Sequence, residues 1–269
     1  MPLKLTALAS CFPRCEAQEL LISIFKLFIC LRLPHADNGR KMKDKNSGYL
    51  ISFEGIDASG KNTQSRLLFE YLRSKDIDSE YISFPDYITR IGNEIHDFLS
   101  RKIDYNLETR HLLYAANRYE HKEKLQKWIE DGKVVVINRY SESNYAYGAA
   151  NGLPLDWLVQ IESRMPRADY IISLKISPEI SMQRKAVRDR YEGDLAFLQR
   201  VSDVYDALVE KGRWFAIDGA RPKEEVHYEI SQLVAALLEE SSNNNQQILT
   251  SVGQNKNASK IRSREGASV

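Results

Sequence analysis

The stretch Tyr49 to Thr63, YLISFEGIDASGKNT, decides how the chain is read. Tyr49 to Phe53 is a short apolar run of strand type. A glycine-rich turn ending in Lys61 follows it. Gln64 to Ser74 then carries Leu67, Leu68, Tyr71 and Leu72 at helical spacing. A strand, then Gly55-x-x-x-x-Gly60-Lys61, then a helix is the context that a phosphate-binding loop requires. Glycines let successive backbone N–H groups turn inward, and the helix N-terminus adds positive potential. Lys61 brings a mobile point charge to the terminal phosphates. One residue departs from the pattern: Asn62 stands where Ser or Thr normally offers a hydroxyl to Mg²⁺. A glycine turn with a solvated lysine would share the local composition, but the strand before and the helix after favour the phosphate site.

Outward from this stretch, short apolar runs alternate with helical ones. Ser79 to Phe84 reads as a second strand, closed by Pro85. Ile91 to Leu99 and the long segment Asn106 to Glu130 read as helices, the second ended by Gly132. Val134 to Ile137 is an uninterrupted β-branched run that suits a fully buried parallel strand, and Asn138-Arg139-Tyr140 follows at its carboxyl end. Pro154 to Arg164, Pro178 to Arg188, Asp194 to Glu210 and Lys223 to Leu238 read as further helices, with strands at Asp169 to Ile176 and Trp214 to Ile217. The alternation predicts an α/β fold: a central five-stranded parallel sheet with helices on both faces. In such sheets the ligand sits outside the carboxyl ends of the strands. The phosphate loop, the Pro85-Asp86 turn and Asn138-Arg139 all fall there.

Composition divides the 269 residues into three parts. Residues 48–240 are ample for one domain with a buried core. Residues 1–47 are expected to be a leader or extension, disordered or not part of the mature protein. Its apolar run Leu20 to Leu33 is short and interrupted by Lys26 and Arg32, a poor membrane span. A targeting peptide is disfavoured by Glu16 and Glu19, and Met42 offers an alternative start. Residues 241–269 form a tail rich in Ser, Asn and Gln, expected to be disordered. The net charge of +1 argues against a protein built to coat nucleic acid. Cys11, Cys15 and Cys30 all precede the core, which suits a reducing compartment. The expected location is cytoplasmic, with mitochondrial or nuclear as alternatives, and no membrane partner is expected.

The core resembles the thymidylate kinases, nucleoside-monophosphate kinases of the P-loop class. The likeness covers almost all of residues 48–238. It rests on FEGIDASGKNTQS (Phe53 to Ser65), SFPD (Ser83 to Asp86), HLLYAANRYE (His111 to Glu120), NRYSESNYAYG (Asn138 to Gly148) and RKAVRDRYEGDLAFLQRVSDVY (Arg184 to Tyr205). The resemblance implies a three-layer P-loop fold with a short basic lid. It also implies transfer of the ATP γ-phosphate to dTMP, with Mg²⁺, in a homodimer. The loop residues Gly55, Ile56, Ala58, Ser59, Gly60, Lys61, Asn62 and Thr63, with Arg184, are then the ATP site. Asp57 matches an acid that contacts the acceptor sugar, though Asp also suits a plain turn. Tyr114 matches an aromatic stacked on thymine, and Arg118, one helical turn on, a residue that reaches a base oxygen. Phe84, Ser143, Tyr147 and Tyr191 complete the dTMP site, with Tyr147 walling the deoxyribose. Arg139 is expected to hold the acceptor phosphate through a charge-assisted pair of hydrogen bonds.

The resemblance also implies that members without an arginine in the loop supply arginines from the lid; this loop has none, so Arg188 and Arg190, with Arg184 close behind, are expected to neutralise the migrating phosphoryl group. Glu192 would orient one of them. A solvated basic helix face is the alternative for this run. Three departures stand out. Asn62 lacks the usual hydroxyl, and its amide, Thr63 or a water would face the metal. Asn138 stands in place of an Asp, and Tyr87 in place of an arginine that Arg90 would have to replace. The metal residues expected are therefore Asn62 and Asn138, directly or through water. The readings left open are a kinase for another nucleotide or nucleoside, and a nucleotide-binding protein with weakened catalysis.

Overall fold

A computed structural model of the chain describes residues 47–184, 194–209 and 214–240. All of the leader except its last residue, the whole tail, and the lid residues Lys185, Arg188, Arg190, Tyr191 and Glu192 lie outside the described residues.

Strand β1 (Tyr49–Glu54) lies at the centre of the sheet and is buried from Leu50 onward. Its neighbours are β3 (Val134–Asn138) on one side and β4 (Tyr170–Lys175) on the other. The outer strands are β2 (Ser79–Ser83) and β5 (Trp214–Asp218). The order is β2-β3-β1-β4-β5 with every pair parallel. The apolar β-branched run of β3 is buried at every position, as expected of a strand covered on both faces. Helices α1 (Lys61–Ser74), α2 (Arg90–Leu99), α3 (Leu107–Tyr119), α4 (Lys122–Glu130), α5 (Ser141–Ala150), α6 (Leu155–Glu162), α7 (Pro178–Arg184), α8 (Leu195–Val209) and α9 (residues 223–240) cover it, giving the three-layer α/β fold. One apolar cluster joins Leu50, Val135 and Ile137 to Leu125 of α4 and Met165. A second joins Ile56 and Ile176 to Ala146 and Ala150 of α5 and Phe197, Val201 and Tyr205 of α8. Among the described residues, no helix is long and apolar enough to cross a membrane.

Two elements differ from the sequence expectation. The segment 106–130 is two helices, because the chain leaves helical geometry at His121, which has φ −105° and ψ 4°. Its ring packs edge-on to Phe84 at 5.5 Å and its Nε2 lies 3.1 Å from Asp86, so tertiary contacts override local helix propensity. Helix α5 was not foreseen. It buries Ser141, Asn144, Ala146, Gly148 and Ala150, small or polar residues that form no apolar stripe, so it carries no helical periodicity to detect. It places Ser143, Asn144 and Tyr147 at the functional end of the sheet.

Candidate active site

The glycine loop leaves the carboxyl end of β1 and turns with Gly55 at φ 135°, Ala58 at φ 55° and Gly60 at φ 99°. A Cβ on Gly55 would sit 2.5 Å from the Leu174 carbonyl, so this glycine is required by space as well as by backbone angle. Gly60 caps α1 with no side chain, and no acid occupies the first turn. The helix therefore presents its N–H groups and positive end to an anion. Lys61 is buried and folds back into the loop, donating from Nζ to the Ile56 carbonyl (2.5 Å) and the Ser59 hydroxyl (3.2 Å). A bound phosphate offers that ammonium a stronger, charged acceptor.

Across the loop lies the turn after β5. A Cβ on Gly219 would come within 2.8 Å of the Ser59 carbonyl. Arg184, at the end of α7, spans both: Nη1 donates to Gly219 O (3.0 Å) and Ala58 O (3.4 Å), and Nη2 to Ala220 O (3.4 Å). Ser181 on the same helix donates to Asp57 O at 2.7 Å. The base of the expected lid is thus anchored on the phosphate loop.

A second cleft opens beside the loop, enclosing about 630 Å³ including the part open to solvent. Its lining gathers residues from five separate segments: Asp57, Phe84, Pro85, Tyr87, Leu99, His111, Tyr114, Arg118, Arg139, Ser143, Asn144 and Tyr147. Six of the seven expected dTMP residues other than Tyr191 are Asp57, Phe84, Tyr114, Arg118, Arg139 and Ser143, and the seventh, Tyr147, joins them. Arg90 is exposed at the start of α2 and is not among the lining residues, whereas Tyr87 is.

Arg139 sits directly after β3 at φ 62°, a left-handed conformation costing a non-glycine residue about 1–2 kcal/mol. Its N–H donates to the Phe53 carbonyl at 3.1 Å, and the Tyr140 N–H to Glu54 Oε1 at 2.7 Å, which hold the turn in place. The reversal aims the guanidinium across the cleft to Asp57, with Nη2 donating to Asp57 Oδ1. Tyr147 donates its hydroxyl to Asp57 Oδ2 at 2.8 Å, and its ring lies 5.4 Å from the Arg139 guanidinium. Burial works against the charge on Arg139, but Asp57, then Tyr147, Tyr205 and Glu54, hold its pKa well above the ordinary value. The arginine is a permanent cation.

Four buried polar residues that support the site were not singled out from the sequence. Glu54, the last residue of β1, is fully buried and accepts from Tyr140 N–H, from Ser143 Oγ (2.6 Å) and from Tyr205 OH (3.0 Å). Burial raises its pKa, opposed by these donors and by Arg139. Glu162, on α6, takes both Nε (3.1 Å) and Nη2 of Arg118, plus Ser141 Oγ (3.1 Å) and Asn144 Nδ2 (2.8 Å). Asn144 also bonds His111. Asn117 pins the turn after β2 by accepting from Asp86 N–H (2.8 Å) and donating to Thr89 Oγ1 (2.9 Å). One signal was present: an acid ending an otherwise apolar strand must be buried with partners. Glu162 gave no such sign, since its partners lie 18 to 44 residues away.

For a divalent ion the two expected residues behave differently. The Asn62 amide oxygen accepts from Arg66 Nε (3.2 Å) and Tyr81 OH (3.3 Å), which occupy both its lone pairs. Asn138 donates from Nδ2 to Ser83 Oγ at 2.9 Å, and its Oδ1 is buried with no hydrogen-bond partner among the described residues. An orphaned amide oxygen at a strand's carboxyl end fits a hard cation or its water. No cluster of three or more His, Cys, Asp or Glu suited to a metal exists among the described residues.

A family model described as thymidylate kinase matches residues 53–230. A thymidylate kinase of Schizosaccharomyces pombe is 34% identical over 200 residues, covering 72% of this chain and 95% of that protein. One from Plasmodium falciparum is 31% identical over 204 residues, covering 75% and 97%. One from Arabidopsis thaliana is 34% identical over 190 residues, covering 71% and 72%.

Proposed function

The chain belongs to the thymidylate kinase family, and we propose that it catalyses that family's reaction, ATP + dTMP → ADP + dTDP. The observation that carries the reading is the convergence of Tyr114, Arg118, Arg139, Asp57 and Tyr147 in one cleft beside the glycine loop.

An oxygen of the dTMP phosphate attacks the γ-phosphorus of ATP while the bond to the β–γ bridging oxygen breaks, so ADP leaves with the bond's electrons. Such a transfer asks a protein for alignment and charge neutralisation. The loop N–H groups and Lys61 hold the β- and γ-phosphates. Arg139 holds the acceptor phosphate against the repulsion of ATP. Its bond to Asp57 fixes the fork and leaves Nη1, 3.5 Å from Ser143 Oγ, to meet the ligand. Tyr147 positions Asp57 for the sugar hydroxyl, and its ring beside the sugar leaves little room at C2′. Tyr114 stacks on the base, and Arg118 reaches a base oxygen with Nη1, since Nε and Nη2 serve Glu162.

Mg²⁺, when bound, would supply positive charge to offset that of the ATP phosphates. Asn138, whose amide oxygen has no partner among the described residues, would face it or its water, with Thr63 at the start of α1, whereas the Asn62 oxygen is taken by Arg66 and Tyr81. Arg188 and Arg190, which follow Arg184 in the chain, would neutralise the transferring group, and Tyr191 would contribute to the dTMP site. Family likeness supports a homodimer, and the cysteine-free core supports a cytoplasmic location.

A coupled assay for ADP release with dTMP, dUMP, dCMP, dGMP and thymidine as acceptors tests the proposal. dTMP should turn over fastest, and Arg139→Ala should lower kcat/KM for dTMP by at least about 100-fold, as loss of a buried charged hydrogen bond implies. A parent protein that prefers another acceptor, or an Arg139→Ala variant with unchanged kinetics, would overturn it.

A further inference from the structure

His111 lines the same cleft, 1% exposed, with its ring edge-on to Tyr114 at 5.9 Å. Its protonation pattern follows from its neighbours. The Asn144 amide nitrogen donates to two acceptors, Glu162 Oε1 at 2.8 Å and the His111 carbonyl at 3.2 Å, so the amide cannot be turned around. The Asn144 oxygen therefore faces His111 Nδ1, at 2.6 Å, and Nδ1 must carry a hydrogen to donate. Burial, with Arg118 and Arg110 adding to it against Asn144 and Glu162, lowers the imidazole pKa to about 4, so the ring is neutral near pH 7. A neutral ring protonated at Nδ1 has a bare Nε2. That atom is buried and has no hydrogen-bond partner among the described residues. Gly148 helps make the position possible: a Cβ there would lie 3.2 Å from His111 Cε1.

A buried acceptor without a donor costs free energy unless a ligand supplies one. Arg118, on the same face of α3 two turns along, contributes the complementary donor. We propose that His111 Nε2 accepts the N3–H of the substrate base, and that His111 with Arg118 selects 4-oxo pyrimidines over cytosine. The inference rests on the dTMP reading above. A 4-oxo pyrimidine shows a carbonyl oxygen beside an N–H. Cytosine shows an amino group beside an unprotonated N3, so both of its atoms meet their own kind. Neither the glycine loop nor Arg139 can make this distinction, because they see only phosphate. The polarity is set by a relay: Glu162 orients Asn144, Asn144 fixes the hydrogen on Nδ1, and the lone pair is left at Nε2.

The test compares kcat/KM for dTMP, N3-methyl-dTMP and dCMP in the parent, in His111→Phe and in His111→Gln. His111→Phe keeps a ring and removes the acceptor. His111→Gln restores an acceptor oxygen and guards against a loss caused by folding alone. The parent should favour dTMP over dCMP by at least about 1,000-fold, as sites built on buried polar groups do. His111→Phe should lose roughly 10- to 100-fold for dTMP, mainly through KM, and should narrow the dTMP-to-dCMP ratio by at least about tenfold. N3-methyl-dTMP should be a poor substrate of the parent and should lose its disadvantage in His111→Phe. In protein with ¹⁵N-labelled imidazole, the Nε2 resonance should move on adding dTMP and not on adding dCMP. Turnover of dTMP with the ratio kept within twofold in His111→Phe would overturn the role of His111 while leaving the reaction standing. Absence of dTMP turnover in the parent would overturn both.

Discussion

Replacing Glu162 by alanine should cost this protein about 4 kcal/mol of stability. Glu162 and Arg118 form an ion pair whose side chains are 0% and 4% exposed. Arginine cannot shed its proton, so deleting the carboxylate strands a buried cation, an event that typically costs 3–5 kcal/mol. Ser141 Oγ loses an acceptor as well, whereas Asn144 Nδ2 keeps the His111 carbonyl. With a urea m-value of about 2 kcal/mol/M, the midpoint should fall by about 2 M. The assay is equilibrium urea unfolding followed by tryptophan fluorescence. A third protein, Arg118→Met/Glu162→Leu, completes the reasoning. Removing both charges with side chains of similar bulk is often neutral, so the double variant should recover at least about 2 kcal/mol relative to Glu162→Ala. It should still handle dTMP poorly, because the base-reading guanidinium is gone. A midpoint shift under 0.5 M in Glu162→Ala would refute the argument, since it would mean that Arg118 reaches water without its partner.

Two further predictions follow from the same geometry. Because the His111 pKa falls from 6.5 to about 4 in the fold, the unfolded chain binds the extra proton between those values. Its contribution is fully present above pH 6.5 and is lost as pH falls toward 4, at most about 3 kcal/mol. Glu54 and Glu142, whose buried carboxyls are raised (Glu142 to about 8), act in the opposite direction. The measurement is therefore the difference between parent and His111→Phe midpoints at pH 7 and pH 4.5, which should shrink in acid; an unchanged difference would contradict it. Asn138→Asp restores a carboxylate beside the orphaned oxygen position and should lower the Mg²⁺ concentration for half-maximal rate by roughly tenfold, a gain modest for a charge interaction at contact range. A Mg²⁺ titration showing no shift would remove Asn138 from the metal side.

The strand–loop–helix of residues 49–74 was legible because its signals are local: an apolar run, glycines where the backbone must turn through positive φ, and a lysine at fixed spacing. The buried run of β3 and the placement of Arg139 at its end were legible for the same reason. Helix α5 was not, since a helix covered by α6 and α8 needs small residues rather than an apolar stripe, and Ala146, Gly148 and Ala150 carry no period. Nor was the break at His121, which is decided by Phe84 and Asp86, more than thirty positions earlier.

By itself the sequence determined the α/β class, the phosphate loop and the family, because hydrophobic period, turn chemistry and motif order are properties of neighbouring residues. Only the tertiary structure decided that Asp57 is held between Arg139 and Tyr147, and that Asn62 turns its oxygen to Arg66 and Tyr81. It alone decided that Glu162, Asn144 and His111 form one chain of hydrogen bonds. Those facts depend on which donor meets which acceptor once water is excluded. Apart from the local Asn62–Arg66 bond, these pairings span 18 to 90 residues and leave no trace in local spacing.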